Sequence, residues 1–112
     1  HVLSFSALNS KHLYHEILSL TAYKNESALT VNSDYHFGGY GKYDDELLNF
    51  IREFYSRYNL KLDPIYTGKA MYGLMKELEN EKWNGKSIVF VHTGGLQGVE
   101  SIEKKSSVRL FD

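Results

Sequence analysis

Two tyrosines next to glycines are the side chains best suited to chemistry in this chain of 112 residues. Tyr40 lies between Gly39 and Gly41, and Tyr66 lies two residues before Gly68. A tyrosine in such a loop is usually a surface or packing residue. It can also stack its ring on a planar cofactor, or act through its phenol as an acid, a base or a nucleophile. The residue types alone leave both interpretations open.

A second candidate site is the turn formed by Thr93, Gly94 and Gly95. Two adjacent glycines allow the chain to turn sharply at the end of a strand, and the turn need do nothing more. Alternatively, the hydroxyl of Thr93 points at a ligand held in the crevice beyond the strand ends, where open parallel sheets bind their ligands.

The composition excludes several classes of protein. Hydrophobic residues make up 42% of the chain and charged residues 24%, as in an ordinary globular domain. The formal net charge of -1 argues against a nucleic-acid partner or a polybasic membrane anchor. No cysteine is present, which excludes a disulfide, a thiolate metal site and a cysteine nucleophile within the chain. No apolar run is long enough for a membrane span, and we expect a cytoplasmic setting.

No metal site is expected from the histidines. His12 and His15 lie three residues apart on one predicted helix face, but two ligands alone do not make a metal site. Ser19 stands where a zinc-protease helix would carry its second histidine. We therefore interpret the two histidines as an exposed, solvated pair.

Hydrophobic periodicity predicts an alternation of strands and helices. The predicted elements are strands over 2–7, 28–33 and 87–92 and helices over 10–21, 44–58 and 67–81. The tail over 100–112 is predicted to be a short helix or a frayed end. This order predicts an α/β fold with a mostly parallel sheet flanked by helices, in which 2–7 and 28–33 pair in parallel across the first helix. Tyr40, Tyr66 and Thr93 should then converge at the carboxyl edge of the sheet.

The motifs around these residues resemble a known family of enzymes. The run over 62–74 carries Asp-Pro-x-Tyr-x-Gly-Lys, residues 92–95 read His-Thr-Gly-Gly, and the loop over 35–42 is rich in glycine. Together they resemble the 1-aminocyclopropane-1-carboxylate deaminase and D-cysteine desulfhydrase family, which depends on pyridoxal 5'-phosphate (PLP). The resemblance extends from about Val2 to about Val99.

The resemblance implies a fold and an activity. The fold would be that of the tryptophan synthase β-subunit, or fold type II, and residues 1–112 would form a single segment in the C-terminal part of the larger, cofactor-binding domain. The activity would be a deaminase or lyase reaction on a small amino acid that releases ammonia and an α-keto acid. The resemblance also implies a homodimer for the full-length parent.

The resemblance also assigns roles to individual residues. Tyr40 and Tyr66 would face cofactor and substrate as the candidate catalytic phenols. Thr93 would lie near the pyridine nitrogen of PLP, with Gly94 and Gly95 in the same cofactor-binding turn. Thr67 replaces a glutamate that pairs with this nitrogen in the deaminases, and a hydroxyl cannot hold the nitrogen protonated as a carboxylate does. Thr67 therefore favours the desulfhydrase branch, because β-elimination needs only loss of the α proton and a good leaving group and so proceeds with a weaker electron sink.

Two features of the family are not found in this sequence. The lysine that forms the Schiff base lies in an Asn-Lys motif upstream in the family, and no lysine here has that context. The glycine-rich phosphate-binding turn is also missing. The chain starts at His1, directly before a predicted strand, which we interpret as part of a longer protein rather than a tag remnant or a trimmed terminus. We expect this segment alone to bind PLP poorly and to be inactive. The alternative is a non-catalytic α/β domain that binds a ligand or a protein.

Overall fold

A computed structural model describes residues 1–21 and 26–112. This part contains two strands and four α-helices, with one helix between the strands and three helices after them. They are β1 (Val2–Phe5), α1 (Leu13–Leu20), β2 (Leu29–Asn32), α2 (Asp45–Tyr58), α3 (Thr67–Glu77) and α4 (Val99–Ser106). Short 3₁₀ turns occur at Glu26–Ala28, Glu81–Trp83 and Leu96–Gly98.

The two strands form a small parallel sheet, as predicted. Their register pairs Val2 with Leu29 and Phe5 with Asn32. A parallel pair requires a crossover connection, and α1 lies in that connection. The helix begins at Leu13, three residues later than predicted, because the hydroxyl of Ser10 accepts the N–H of His12 in a local turn.

Helix α2 is the element whose bounds the sequence predicts best. The side chain of Asp44 caps its start by accepting the N–H of Leu47 at 2.9 Å. Asn59 ends it in the left-handed conformation and donates its N–H to the carbonyl of Tyr55. The apolar face of α2 is buried through Leu47, Leu48 and Ile51.

Helix α3 approaches two neighbours through its glycines. A Cβ placed on Gly68 would lie 2.6 Å from Cδ1 of Ile51 in α2, and one on Gly73 would lie 2.5 Å from the ring of Phe5 in β1. Only glycine allows this spacing at both positions. Helix α3 ends at Glu77, four residues earlier than predicted, and the Asn80 side chain begins a separate turn by accepting the N–H of Lys82.

The hydrophobic core lies between α2, α3 and α4. Its buried members are Leu47, Leu48, Ile51, Leu62, Met71, Val99, Ile102 and Leu110. The tail forms α4, which covers this core through Val99 and Ile102. The tail over 100–112, predicted to be a short helix or a frayed end, is thus helical as far as Ser106.

The predicted strand over 87–92 is wrong. The structure assigns no strand there, and the side chains of Val89 and Val91 are 87% and 73% exposed. A strand buried on both faces needs strands on its flanks, but β1 and β2 pair only with each other among the described residues. The apolar run is therefore exposed except at Phe90, which packs against the core, although its sequence is typical of a buried strand.

Residues 1–21 and 26–112 contain neither a membrane-spanning helix nor a cluster of metal ligands. No helix there has the length and apolar character needed to cross a membrane. No three histidine, aspartate or glutamate side chains of the same residues are grouped so that they could hold a metal ion.

Candidate functional site

The structure brings Tyr40 and Tyr66 together. The phenol of Tyr66 donates a hydrogen bond to the phenol oxygen of Tyr40 at 2.9 Å, although the residues are 26 positions apart. Their ring centroids are 5.9 Å apart, with the planes tilted by 59°. Both side chains are about half exposed. Tyr40 and Tyr66 thus meet as predicted, while their convergence with Thr93 at the carboxyl edge of the sheet stays a prediction.

The hydrogen bond between the phenols affects the pKa of Tyr66. It raises the pKa of Tyr66, since ionised Tyr66 could no longer donate to Tyr40. Desolvation and the negative charges of ionised Tyr40 and of Asp63 raise that pKa further. Tyr66 thus stays protonated, and the O–H of Tyr40 is not used by this bond.

A buried lysine holds the loop that carries Tyr40. Gly38, Gly39 and Gly41 all have positive φ angles, which glycine adopts without strain. The carbonyl of Gly39 accepts a hydrogen bond from Nζ of Lys69 at 2.9 Å. Lys69 belongs to α3 and is 1% exposed. The Tyr40 loop is therefore tied to the helix that begins directly after Tyr66.

The turn that carries Tyr66 is built on the carboxylate of Asp63, which is fully buried. Its Oδ2 accepts the N–H groups of Ile65 and Tyr66, at 2.7 and 2.8 Å. Its Oδ1 accepts both the N–H and the hydroxyl of Thr67, at 2.9 and 2.7 Å. These four bonds satisfy donors at the start of α3 and fix the backbone of Tyr66.

Thr67 is engaged inside this turn. Its hydroxyl donates to the carboxylate of Asp63 and accepts the backbone N–H of the same residue. The side chain is 2% exposed. This geometry fits a residue that stabilises the start of a helix, and contact of Thr67 with a cofactor nitrogen stays a prediction.

The His-Thr-Gly-Gly turn packs against the same carboxylate. A Cβ on Gly95 would lie 2.6 Å from Oδ1 of Asp63. His92 holds the turn from the other side, since its Nδ1 accepts the N–H of Gly94 and its Nε2 donates to the carbonyl of Lys61. The side chain of Thr93 is exposed. Contacts of Thr93, Gly94 and Gly95 with a cofactor stay predictions.

Sequence reasoning missed three residues that position the site: Asp63, Lys69 and His92. An aspartate directly before proline is a turn signal that could have identified Asp63, since aspartate side chains accept N–H groups of the residues that follow. Periodicity does not identify Lys69, because it lies two positions from Met71 and therefore on a different side of α3. No sequence signal links His92 to the carbonyl of Lys61.

These contacts define a class of site. It consists of an exposed pair of phenols whose backbone segments are held by the buried charged side chains of Asp63 and Lys69, with the Gly94–Gly95 turn packed against Asp63. Two half-exposed aromatic rings offer a surface on which a planar ligand can stack. The phenols can exchange protons with that ligand. Lys69, which holds the loop of Tyr40, is buried and its Nζ donates to the carbonyl of Gly39, so this lysine is not placed to form a Schiff base with a cofactor.

Comparison with known proteins identifies relatives of part of this chain. No protein-family profile matches the chain. A Pyrococcus abyssi protein named "Putative 1-aminocyclopropane-1-carboxylate deaminase" is 48% identical over 66 residues, which are 59% of this chain and 20% of the relative. The mitochondrial bifunctional D-cysteine desulfhydrase/1-aminocyclopropane-1-carboxylate deaminase of Arabidopsis thaliana is 38% identical over 73 residues, 62% of this chain and 18% of the relative.

A bacterial relative extends the comparison. The D-cysteine desulfhydrase of Salmonella newport is 36% identical over 81 residues, which are 66% of this chain and 25% of the relative. The chain thus spans about a fifth to a quarter of the length of the curated relatives it matches. The resemblance is confirmed over the matched residues, which are 59% to 66% of this chain: that part is homologous to a segment of proteins named as 1-aminocyclopropane-1-carboxylate deaminase or D-cysteine desulfhydrase.

Proposed function

We propose that this chain forms part of the active site of a PLP-dependent deaminase or lyase. The enzyme would act on a small amino acid, D-cysteine or 1-aminocyclopropane-1-carboxylate, and release ammonia and an α-keto acid. The observation that carries the proposal is the hydrogen-bonded pair of Tyr40 and Tyr66, half exposed on the surface. The names of the homologues support it.

The residues present fit one wall of a PLP site. The rings of Tyr40 and Tyr66 would stack on or beside the planar cofactor, and the turn of Thr93, Gly94 and Gly95 would approach its pyridine nitrogen. PLP, when bound, withdraws electrons from the α carbon of an amino acid. We propose that the remaining walls, with the lysine that binds PLP covalently, come from the N-terminal part of a longer parent protein.

The tyrosine pair has a direct role in moving protons. Tyr66 donates its O–H to Tyr40, and its raised pKa keeps that proton in place. The O–H of Tyr40 is left to exchange its proton with substrate. We therefore assign proton transfer to Oη of Tyr40 and orientation of that oxygen to Tyr66.

Thr67 supports a preference for one of the two substrates. It carries no charge, and its hydroxyl is engaged by Asp63, so it cannot hold a pyridine nitrogen protonated. A less electron-withdrawing ring suits β-elimination of a good leaving group better than opening of a cyclopropane. We thus propose D-cysteine as the preferred substrate.

Assays of the full-length gene product test this proposal. The reading frame that contains this segment should encode about 300 residues, the size of a two-domain protein. Its PLP-loaded product should release pyruvate from D-cysteine faster than 2-oxobutanoate from 1-aminocyclopropane-1-carboxylate. A product that binds PLP but forms neither keto acid would contradict the proposed activity. A frame of 112 residues would instead support a non-catalytic binding domain.

A further inference from the structure

Lys69 is a charged side chain buried where no solvent reaches it. It is 1% exposed, and its Nζ donates to the carbonyl of Gly39 across 30 positions of sequence. Desolvation lowers its pKa, and the negative charge of Asp63 opposes that effect. Burying an ammonium group is unfavourable unless its contacts compensate for the lost hydration. A neutral side chain of the same length would avoid that desolvation, so stability alone does not account for Lys69.

The partners of Lys69 indicate what it does. Gly39 directly precedes Tyr40, and Lys69 follows Tyr66 by three positions in the first turn of α3. The bond from Nζ to the Gly39 carbonyl therefore joins the loop of one phenol to the helix of the other. The Gly39 carbonyl also accepts the N–H of Lys42 at 3.1 Å, so it keeps a partner without the lysine.

We propose that Lys69 is a positioning residue that fixes the distance and orientation between the phenols of Tyr40 and Tyr66. The Tyr40 loop contains three glycines with positive φ, so its backbone has little stiffness of its own. The tether restrains that loop relative to α3. The relevance of Lys69 to catalysis rests on the proposed function, but its effect on the two phenols does not.

Substitution in the 112-residue chain separates positioning from stability. Lys69→Met removes the donor and the charge while retaining most of the length and the apolar stem. We expect this variant to stay folded, because the carboxylate of Asp63 keeps its four hydrogen-bond donors, and urea unfolding measures the change in stability. Lys76→Met on the same helix is the matched control, since Lys76 is exposed, forms an ion pair with the exposed Glu79 and has its Nζ 5.7 Å from the ring centroid of Tyr72, so the variant removes a lysine without touching the Tyr40 loop.

Nuclear Overhauser contacts between ring protons at pH 7 provide the readout. Wild type and Lys76→Met should show the Tyr40–Tyr66 contact, Lys69→Met should lose it, and Lys69→Arg should retain it because the donor is restored. The contact between Phe50 and Tyr72, whose ring centroids are 5.2 Å apart, reports on the packing of α2 against α3. It should survive in every variant.

Three results would overturn the proposal. One is a Tyr40–Tyr66 contact that persists in Lys69→Met. Another is the simultaneous loss of the Phe50–Tyr72 contact, which would make Lys69 a general support of the fold. The third is a Lys69→Arg variant that behaves like Lys69→Met, which would show that the donor is not what matters. None of these readouts uses enzymatic activity, so this proposal and the proposed function can fail separately.

Discussion

The α carbon of Gly95 lies so close to the carboxylate of Asp63 that a Cβ on it would be only 2.6 Å from Oδ1. The same carboxylate accepts the N–H of Tyr66. One buried side chain therefore positions two motifs that are separated in the sequence, the turn before α3 and the His-Thr-Gly-Gly turn. This relationship makes Asp63 the structural centre of the site.

Replacing Gly95 with alanine should disturb that contact. The φ angle of Gly95 is +89°, which is strained for any residue with a Cβ, and the added carbon would collide with Asp63. We expect Gly95→Ala to lower the free energy of unfolding by ~2 kcal/mol, the scale of overpacking a buried site. Urea unfolding measures this change. Gly98→Ala is the control: Gly98 has a negative φ and its Cβ would meet Ile65 at an ordinary 3.5 Å, so its stability should stay near that of the wild type.

Asp63→Asn should be more damaging than its size suggests. Asparagine has one acceptor oxygen in place of two, so N–H groups of Ile65 and Tyr66 would face an amide N–H₂. The buried ammonium of Lys69 would also lose the negative charge nearby. We expect a loss of ~3 kcal/mol in unfolding free energy, the scale for unsatisfied buried groups and unpaired buried charges. Asp45→Asn, on the exposed first turn of α2, should change stability far less, and equal losses in the two variants would contradict this role of Asp63.

Tyr40→Phe should lower the pKa of Tyr66 towards the ordinary tyrosine value. The hydrogen bond to Tyr40 is the largest of the causes that raise this pKa, and phenylalanine removes it. A pH titration followed by the ring carbon signal of labelled Tyr66 would measure the change. Tyr58→Phe serves as a control, because it removes an exposed phenol at the end of α2. An unchanged Tyr66 titration in Tyr40→Phe would show that the bond is not formed in solution.

The stability of the chain should fall between pH 10 and pH 12 partly because of Tyr72. Its hydrogen bond to Glu46, followed by desolvation and the charges of Glu46 and Asp44, raises the pKa of Tyr72 from 10.0 to about 12. In that interval the folded state binds more protons than the unfolded state, so its stability decreases as pH rises. Tyr72→Phe should flatten this decrease in urea unfolding measured at pH 9 and pH 11. A decrease as steep as that of the wild type would refute the assignment, and Tyr58→Phe should retain the wild-type slope.

Local sequence signals predicted the helices and the parallel strand pair. The apolar face of Leu47, Leu48 and Ile51 and the cap at Asp44 determine α2 without help from distant residues. The pairing of β1 with β2 follows from the crossover rule. The run over 87–92 failed because its prediction required neighbouring strands, and its own residues carry no information about whether those are present.

The tyrosine pair could be predicted only in part. Both residues were identified from their glycine neighbours and motifs, and their convergence was predicted from strand ends, although the element before Tyr66 in the structure is the helix α2. Their supports were not predicted, because each is a contact between distant segments: Lys69 with Gly39, and Asp63 with Gly95. From the sequence alone, a charged residue that becomes buried cannot be distinguished from a charged surface residue, because its partner comes from a distant segment.

The turnover of Tyr66→Phe in the full-length enzyme tests the central claim most directly. The measurement is the rate of keto-acid release from D-cysteine by PLP-loaded wild type and variant, with Tyr58→Phe as the matched control. Tyr66→Phe, which removes the donor that orients Oη of Tyr40, should lower turnover, and Tyr40→Phe, which removes the phenol assigned to proton transfer, should lower it by about a hundredfold or more, the usual scale for a positioned acid or base. Binding of PLP should barely change, since the ring still stacks. Turnover equal to that of the wild type, with PLP bound, would contradict the assignment of this pair to the chemistry.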